Sequence, residues 1–146
     1  MPKIFIGSSG GAKGQTKAIV KAFEKRPISF LRWWEAFTAG RTLLEDLDKI
    51  YKKVDAALLV FSPESEAKVR GSNKQIPNLN VLFEFGYFYG VLGRDRVAMI
   101  KYGDFYLPSD LGGYIHIHGS KGFRSGRSQV VSKRTTDEFY RWAETL

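Results

Sequence analysis

A single carboxylate, Glu84, interrupts the apolar and aromatic run "NVLFEFGYFYGVLG" at residues 80–93. Burying such a charge without a partner costs several kcal/mol. At helical spacing its neighbours are Asn80, Val81, Tyr87 and Phe88. A carboxyl among these groups is partly desolvated, which raises its pKa, and perturbed carboxyls collect in functional sites. The same spacing fits a plainer arrangement equally well. An acid near the first turns of a helix is favoured by the dipole and reaches solvent or a lysine.

Other residues carry weaker chemical signals. "GSSGGAKG" at residues 7–14 offers backbone amides and small hydroxyls ahead of a helix, an arrangement that holds phosphate or forms a tight turn. It is not a Walker A loop, because Gly14-Gln15-Thr16 lacks the lysine, and it is not a G-x-G-x-x-G fingerprint. Trp33 and Trp34 read as the end of a strand, one facing the core and the other free to stack on a base. Glu35 follows as an acid able to reach a ribose hydroxyl. His116 and His118 share a strand face but have no cysteine or clear acidic partner, so no metal site is expected.

The elements that must position these groups follow from patterning. "KIFIG" reads as a buried strand, and Ala18, Ile19, Ala22 and Phe23 as one face of a helix stopped by Pro27. "ISFLRWW" at 28–34 reads as a second strand. Thr42 and Glu45 form a capping-box signature for a helix bearing Leu43, Leu47, Ile50 and Tyr51. "DAALLVF" at 55–61 is a continuous apolar strand of the kind covered on both faces. Residues 62–77 are polar and read as a long loop, followed by the aromatic helix, which ends at Gly93. Strands are expected at 96–100 and, as an edge, at 114–118. An irregular basic loop is expected at 119–133. A second capping box, Thr135 to Glu138, opens a last helix with Phe139, Trp142, Ala143 and Leu146 on one face. Strands alternating with helices predict a three-layer α/β fold with a five-stranded parallel sheet of flavodoxin-like order 2-1-3-4-5. In such sheets ligands bind at the carboxyl ends of strands one and three. That rule places residues 7–11 and 61–65 beside the predicted site.

Composition bounds the rest. The 146 residues, with no internal repeat or linker, suit one domain spanning 1–146. The absence of cysteine excludes disulfides and thiolate chemistry and suits a cytoplasmic protein. No signal peptide is visible, and the longest apolar run is too short to span a bilayer. The net charge of +8 owes much to Lys121, Arg124, Arg127, Lys133 and Arg134. No aromatic residues alternate with these cations, so a solvated basic loop is favoured over a nucleic-acid surface.

Five segments in order, "KIFIGSS", "FTAGRTLLEDL", "DAALLVFSPES", "PNLNVLFEFGYFYGVLGRDR" and "LPSDLGG", resemble the TIR-like domain of bacterial antiphage effectors. The match is closest to the TIR half of TIR–STING fusions and related cyclic-nucleotide-activated effectors. The element N-V-x-F-E-x-G-x-F-x-G is its most specific part. The resemblance implies NAD⁺ cleavage at the nicotinamide–ribose bond, with Glu84 catalytic and facing an open substrate cleft. It also implies Ser8 and Ser9 near the pyrophosphate or ribose and Phe37 as a stacking wall. Asp110 is a further motif position. NAD⁺ would be substrate and no cofactor would be needed. The resemblance further implies activation by homo-oligomers or filaments, through loops 62–77 and 34–41, and a C-terminal sensor domain fused to this module. Two alternatives stay open: a nucleoside deoxyribosyltransferase-like enzyme and a non-catalytic TIR scaffold.

Overall fold

The computed structural model describes residues 1–108, 111, 113–119 and 131–146. The chain runs β1 (Lys3–Gly7), α1 (Lys13–Phe23), β2 (Ser29–Arg32), α2 (Trp33–Ala36) and α3 (Leu43–Ile50), with a 3-10 turn at Tyr51–Lys53. It continues as β3 (Ala56–Phe61), β4 (Ser65–Val69), β5 (Ser72–Ile76) and α4 (Leu79–Leu92). β6 (Val97–Tyr102), β7 (Ile115–Gly119) and α5 (Lys133–Ala143) complete the described elements.

The main sheet has the order β2-β1-β3-β6-β7, and every neighbouring pair in it is parallel. Counting only its own five strands, this is the expected order 2-1-3-4-5. Alternation along the strands divides the core. Ile4, Ile6, Leu58 and Val60 face α1 and α5, where Phe23 stacks on Phe139 with centroids 3.9 Å apart. Phe5, Leu59 and Phe61 face the layer of α3 and α4, against Leu47, Val81, Phe85 and Phe88. All six residues of β3 are buried, as its unbroken apolar run requires.

Local capping explains where helices begin. Thr42 Oγ1 accepts from the Glu45 amide at 3.2 Å, completing the expected capping box on α3. Asn78 caps α4 by accepting from the amides of Asn80 and Val81 at 2.9 and 3.1 Å. α5 departs from expectation. Its cap is Ser132, which accepts from the Thr135 amide at 3.2 Å. Thr135 is instead buried, and its hydroxyl donates to the His118 carbonyl at 2.6 Å.

Two other expectations are corrected. Residues 28–34 do not form one strand, because the chain turns helical at Trp33 and α2 replaces the strand's end. The aromatic β-propensity there is overridden by a tertiary bond, Trp33 Nε1 donating to Ser8 Oγ at 2.8 Å. Residues 62–77 are not one loop, since β4 and β5 form an antiparallel hairpin outside the main sheet. Arg70 and Gly71 both have positive φ, 51° and 83°, the geometry of a tight hairpin turn. The hairpin is anchored by Tyr106 N donating to Gln75 O at 2.8 Å.

Candidate functional site

Glu84 lies in the second turn of α4, past the positions where the dipole of Leu79–Leu92 would explain an acid. It is 3% exposed, and its Oε2 is buried without a hydrogen-bond partner. Solvent or a lysine therefore does not satisfy it. Burial pushes its pKa from 4.5 up to about 8. The carboxyl rests against the end of β1. A Cβ placed on Gly7 would stand 2.7 Å from Glu84 Oε2, 2.7 Å from Leu59 Cδ1 and 2.9 Å from Phe5 Cε1. Only glycine leaves space for this acid at the tips of β1 and β3. Gly7→Ala is expected to lower stability by about 1–3 kcal/mol through overpacking, read as a fall in thermal midpoint.

Ser8 and Ser9 extend the same strand tip and are buried. The Ser8 hydroxyl donates to the Ser9 carbonyl at 3.0 Å and accepts from Trp33 Nε1. Ser9 Oγ accepts from the Ala12 amide at 3.2 Å. α1, just beyond, has no side-chain cap at its N-terminus. The Lys13 amide donates to the Gly10 carbonyl at 3.2 Å, which leaves the amides of Gly14 and Gln15 to face an anion. Phe37 is half-buried and packs on Phe5 with centroids 6.0 Å apart, so it joins the core layer of α3 and α4. Asp110 and the basic residues 121–130 lie outside the described residues.

The expected open hollow is not formed at this point among the described residues. The crevice between the β1 and β3 ends and α4, lined by Ser9, Phe61, Ser62, Glu64, Asn78 and Val81, is too tight for a water molecule. Cavities of about 600 Å³ lie elsewhere, between β7 and α5 and between α1 and α5. Glu84 does not line this crevice, and at 3% exposure its unsatisfied carboxyl is itself covered.

Sequence reading missed Gly7 and Trp33 as groups that hold the site in place. The glycine ending "KIFIG" was visible, but its contact with a residue 77 positions away was not. Glu35 sits on the exposed side of α2 and pairs with Arg32 at 3.6 Å. His118 Nδ1 lies 3.0 Å from Glu138 Oε1, which also accepts from Arg134 at 3.1 Å. Among the described residues no group of three or more histidines and acids is placed to hold a metal. No described helix is long and apolar enough to cross a membrane.

The fold is that of the TIR and SEFIR type of α/β domain. The crystal structure of a prokaryotic SEFIR domain matches with a TM-score of 0.55 at 16% identity, covering 99% of this chain and 97% of that one. The family model for the CAP12/Pycsar effector protein TIR domain matches residues 3–121, and the chain belongs to this family of bacterial antiphage effector domains. It is 34% identical over 135 residues to CD-NTase-associated protein 12 of a Lachnospiraceae bacterium, covering 89% of this chain and 43% of that protein. It is 33% identical over 129 residues to the Pycsar effector protein PaPycTIR of Pseudomonas aeruginosa, covering 86% and 41%. The chain spans less than half the length of these relatives.

Proposed function

We propose that this domain is an NAD⁺ glycohydrolase, cleaving the nicotinamide–ribose bond once copies of it assemble. The observation that carries the reading is the buried, partnerless Glu84 carboxyl at the carboxyl ends of β1 and β3. Nicotinamide is a cationic leaving group, and its departure leaves an oxocarbenium-like ribose. Water adds to that carbon, giving ADP-ribose, nicotinamide and a proton. A carboxylate held in low dielectric stabilises the developing charge far better than one in water. The arriving pyridinium favours the ionised form of Glu84, offsetting the burial that holds it protonated. The uncapped start of α1 beside Ser8 and Ser9 would take the pyrophosphate. Phe37 would contribute an aromatic wall after moving off Phe5, and Asp110 remains a motif position without an assigned role.

The near-complete cover over Glu84 supports gating by assembly. The hairpin of β4 and β5 and the segment 34–41 are exposed elements flanking the site, suited to contact a neighbouring copy. A sensor domain in the same polypeptide, of the STING type or another cyclic-nucleotide receptor, would supply the clustering signal in the cytoplasm. Dilute protein is expected to release little nicotinamide. Its specific activity is expected to rise steeply with concentration or on a multivalent scaffold, measured by chromatography of nicotinamide. Specific activity unchanged across a hundredfold concentration range would count against gating. No nicotinamide even from clustered protein would count against the enzyme and favour a scaffold.

A further inference from the structure

Residues 13–26 carry five cations, Lys13, Lys17, Lys21, Lys25 and Arg26, against one acid, Glu24. Lys13, Lys17 and Lys21 recur every fourth residue of α1, and Lys25 extends the row into the following turn. Successive lysines are about 6 Å apart along the axis and drift slowly around it. Lys17, Lys21 and Lys25 are exposed, and none of the four lysines has an ion pair among the described residues. The nearby acids are already engaged. Glu24 binds Arg32 at 2.6 Å, Glu35 binds the same arginine, and Glu144 lies 3.7 Å from Arg26.

Aromatic groups stand at both ends of this row. The Lys13 and Lys17 ammonium groups lie 5.2 and 5.9 Å from the centroid of the Trp34 ring. At the other end the Arg26 guanidinium stacks 4.0 Å from the Tyr140 centroid, its outer face turned away from that ring. Grooves flank the row. One of about 270 Å³ lies beside Lys17, Lys21 and Trp34, and its wall also carries Glu24 and Glu35, both held by Arg32. The other, of about 600 Å³, lies between α1 and α5 and is lined by Lys21, Lys25, Arg26 and Tyr140, with no acid among its described lining residues.

We infer that this face binds single-stranded nucleic acid, its phosphates following the α1 lysines and its bases stacking at Trp34 and on the Arg26–Tyr140 pair. Unpaired cations in a row supply the phosphate attraction. Aromatic rings and arginine planes supply sequence-tolerant stacking, which a duplex hides and a lipid surface does not offer. Of the exposed large apolar side chains that a membrane would need, Leu44, Leu79, Phe83 and Val91 belong to α3 and α4 on the opposite layer, and Met1 stands alone before β1. The row starts at the α1 N-terminus given above to the pyrophosphate, but Lys17, Lys21 and Lys25 run on from there toward the far end of the helix, and an assay without NAD⁺ does not depend on its cleavage.

The experiment is fluorescence anisotropy of labelled 15-mers of thymidine and uridine with the purified chain over a series of NaCl concentrations. Four phosphate contacts predict a log–log salt slope of about −3. The combined variant Lys17→Glu, Lys21→Glu and Lys25→Glu is expected to weaken binding at least tenfold and flatten that slope. The corresponding triple change to Gln repeats the test with milder substitutions should the first variant fold poorly. Trp34→Ala is expected to weaken binding about tenfold with the slope unchanged. Lys49→Glu with Lys52→Glu, on the α3 layer, should leave binding as it was. Three outcomes would overturn the inference: no binding at low salt, binding insensitive to both triple variants, or equal affinity for duplex DNA, phosphatidylserine vesicles or polyglutamate.

Discussion

Glu84→Gln is expected to lower nicotinamide release by clustered protein at least about 10²–10³-fold while the fold persists. The substitution keeps the volume and one carbonyl oxygen of the side chain, so the packing of α4 on β1 and β3 is preserved. It removes the negative charge that would meet the oxocarbenium-like ribose. Because the acting form is the carboxylate, kcat/KM of the parent should rise with pH toward about 8, the pKa that burial imposes. In the substrate complex the cationic ring moves this rise to lower pH, so kcat should level off earlier. A Gln variant retaining most of the activity would remove Glu84 from the chemistry. Circular dichroism of the variant separates that result from misfolding.

The same substitution should stabilise the domain at alkaline pH. In the unfolded chain Glu84 ionises near 4.5, and in the fold near 8. Between those values the native state holds a proton that the unfolded state has released, so stability falls as pH rises. The contribution is fully present below pH 4.5 and is lost by about pH 8. A shift of this size corresponds to about 5 kcal/mol. Glu84→Gln carries no proton to lose. Its unfolding free energy should therefore exceed that of the parent by an amount growing from pH 5 to pH 9. Denaturant titrations of both proteins at each pH measure the difference, in which the other titrating groups cancel. A gap independent of pH would mean that Glu84 ionises freely in the fold. A large part of the stability of an ordinary domain is at stake, since the total is about 5–15 kcal/mol. Keeping an acid in this position is costly, which is the pattern expected of a side chain retained for its chemistry.

These two expectations bear on one another. If activity collapses in the variant while alkaline stability rises, the acid trades stability for function. If only stability changes, Glu84 is a buried acid with no catalytic part, and a non-catalytic scaffold becomes the better reading of this family member.

Much of the architecture was legible from local pattern. The unbroken run of β3 required cover on both faces, and the alternation of strands with helices required parallel crossovers. Thr42 with Glu45 located the start of α3 because a capping box involves only neighbours in sequence. Glu84 stood out as a charge within an aromatic helix, and its helical neighbours already implied desolvation. Nonlocal contacts lay beyond that reading. The hairpin of β4 and β5 escaped notice because its residues are polar on both faces, so no alternation marked it. α2 escaped because aromatic residues favour strands until Trp33 finds Ser8 across 25 positions. The start of α5 was misplaced because Thr135 serves the edge strand through His118, leaving Ser132 to cap.

The composition and periodicity of the chain determined the strands β1, β3 and β6, the helices α1, α3 and α4, and the parallel alternation that sets the order of the sheet. Those properties depend on residues a few positions apart, whose side chains share a face whatever else the chain does. Tertiary structure alone decided that Gly7 leaves room for the Glu84 carboxyl, that this carboxyl is covered, and that the α1 lysines start beside Trp34 while Arg26 beyond them meets Tyr140. Dielectric environment and open volume belong to no single segment. They arise where several distant segments meet, so they exist only after the chain has folded.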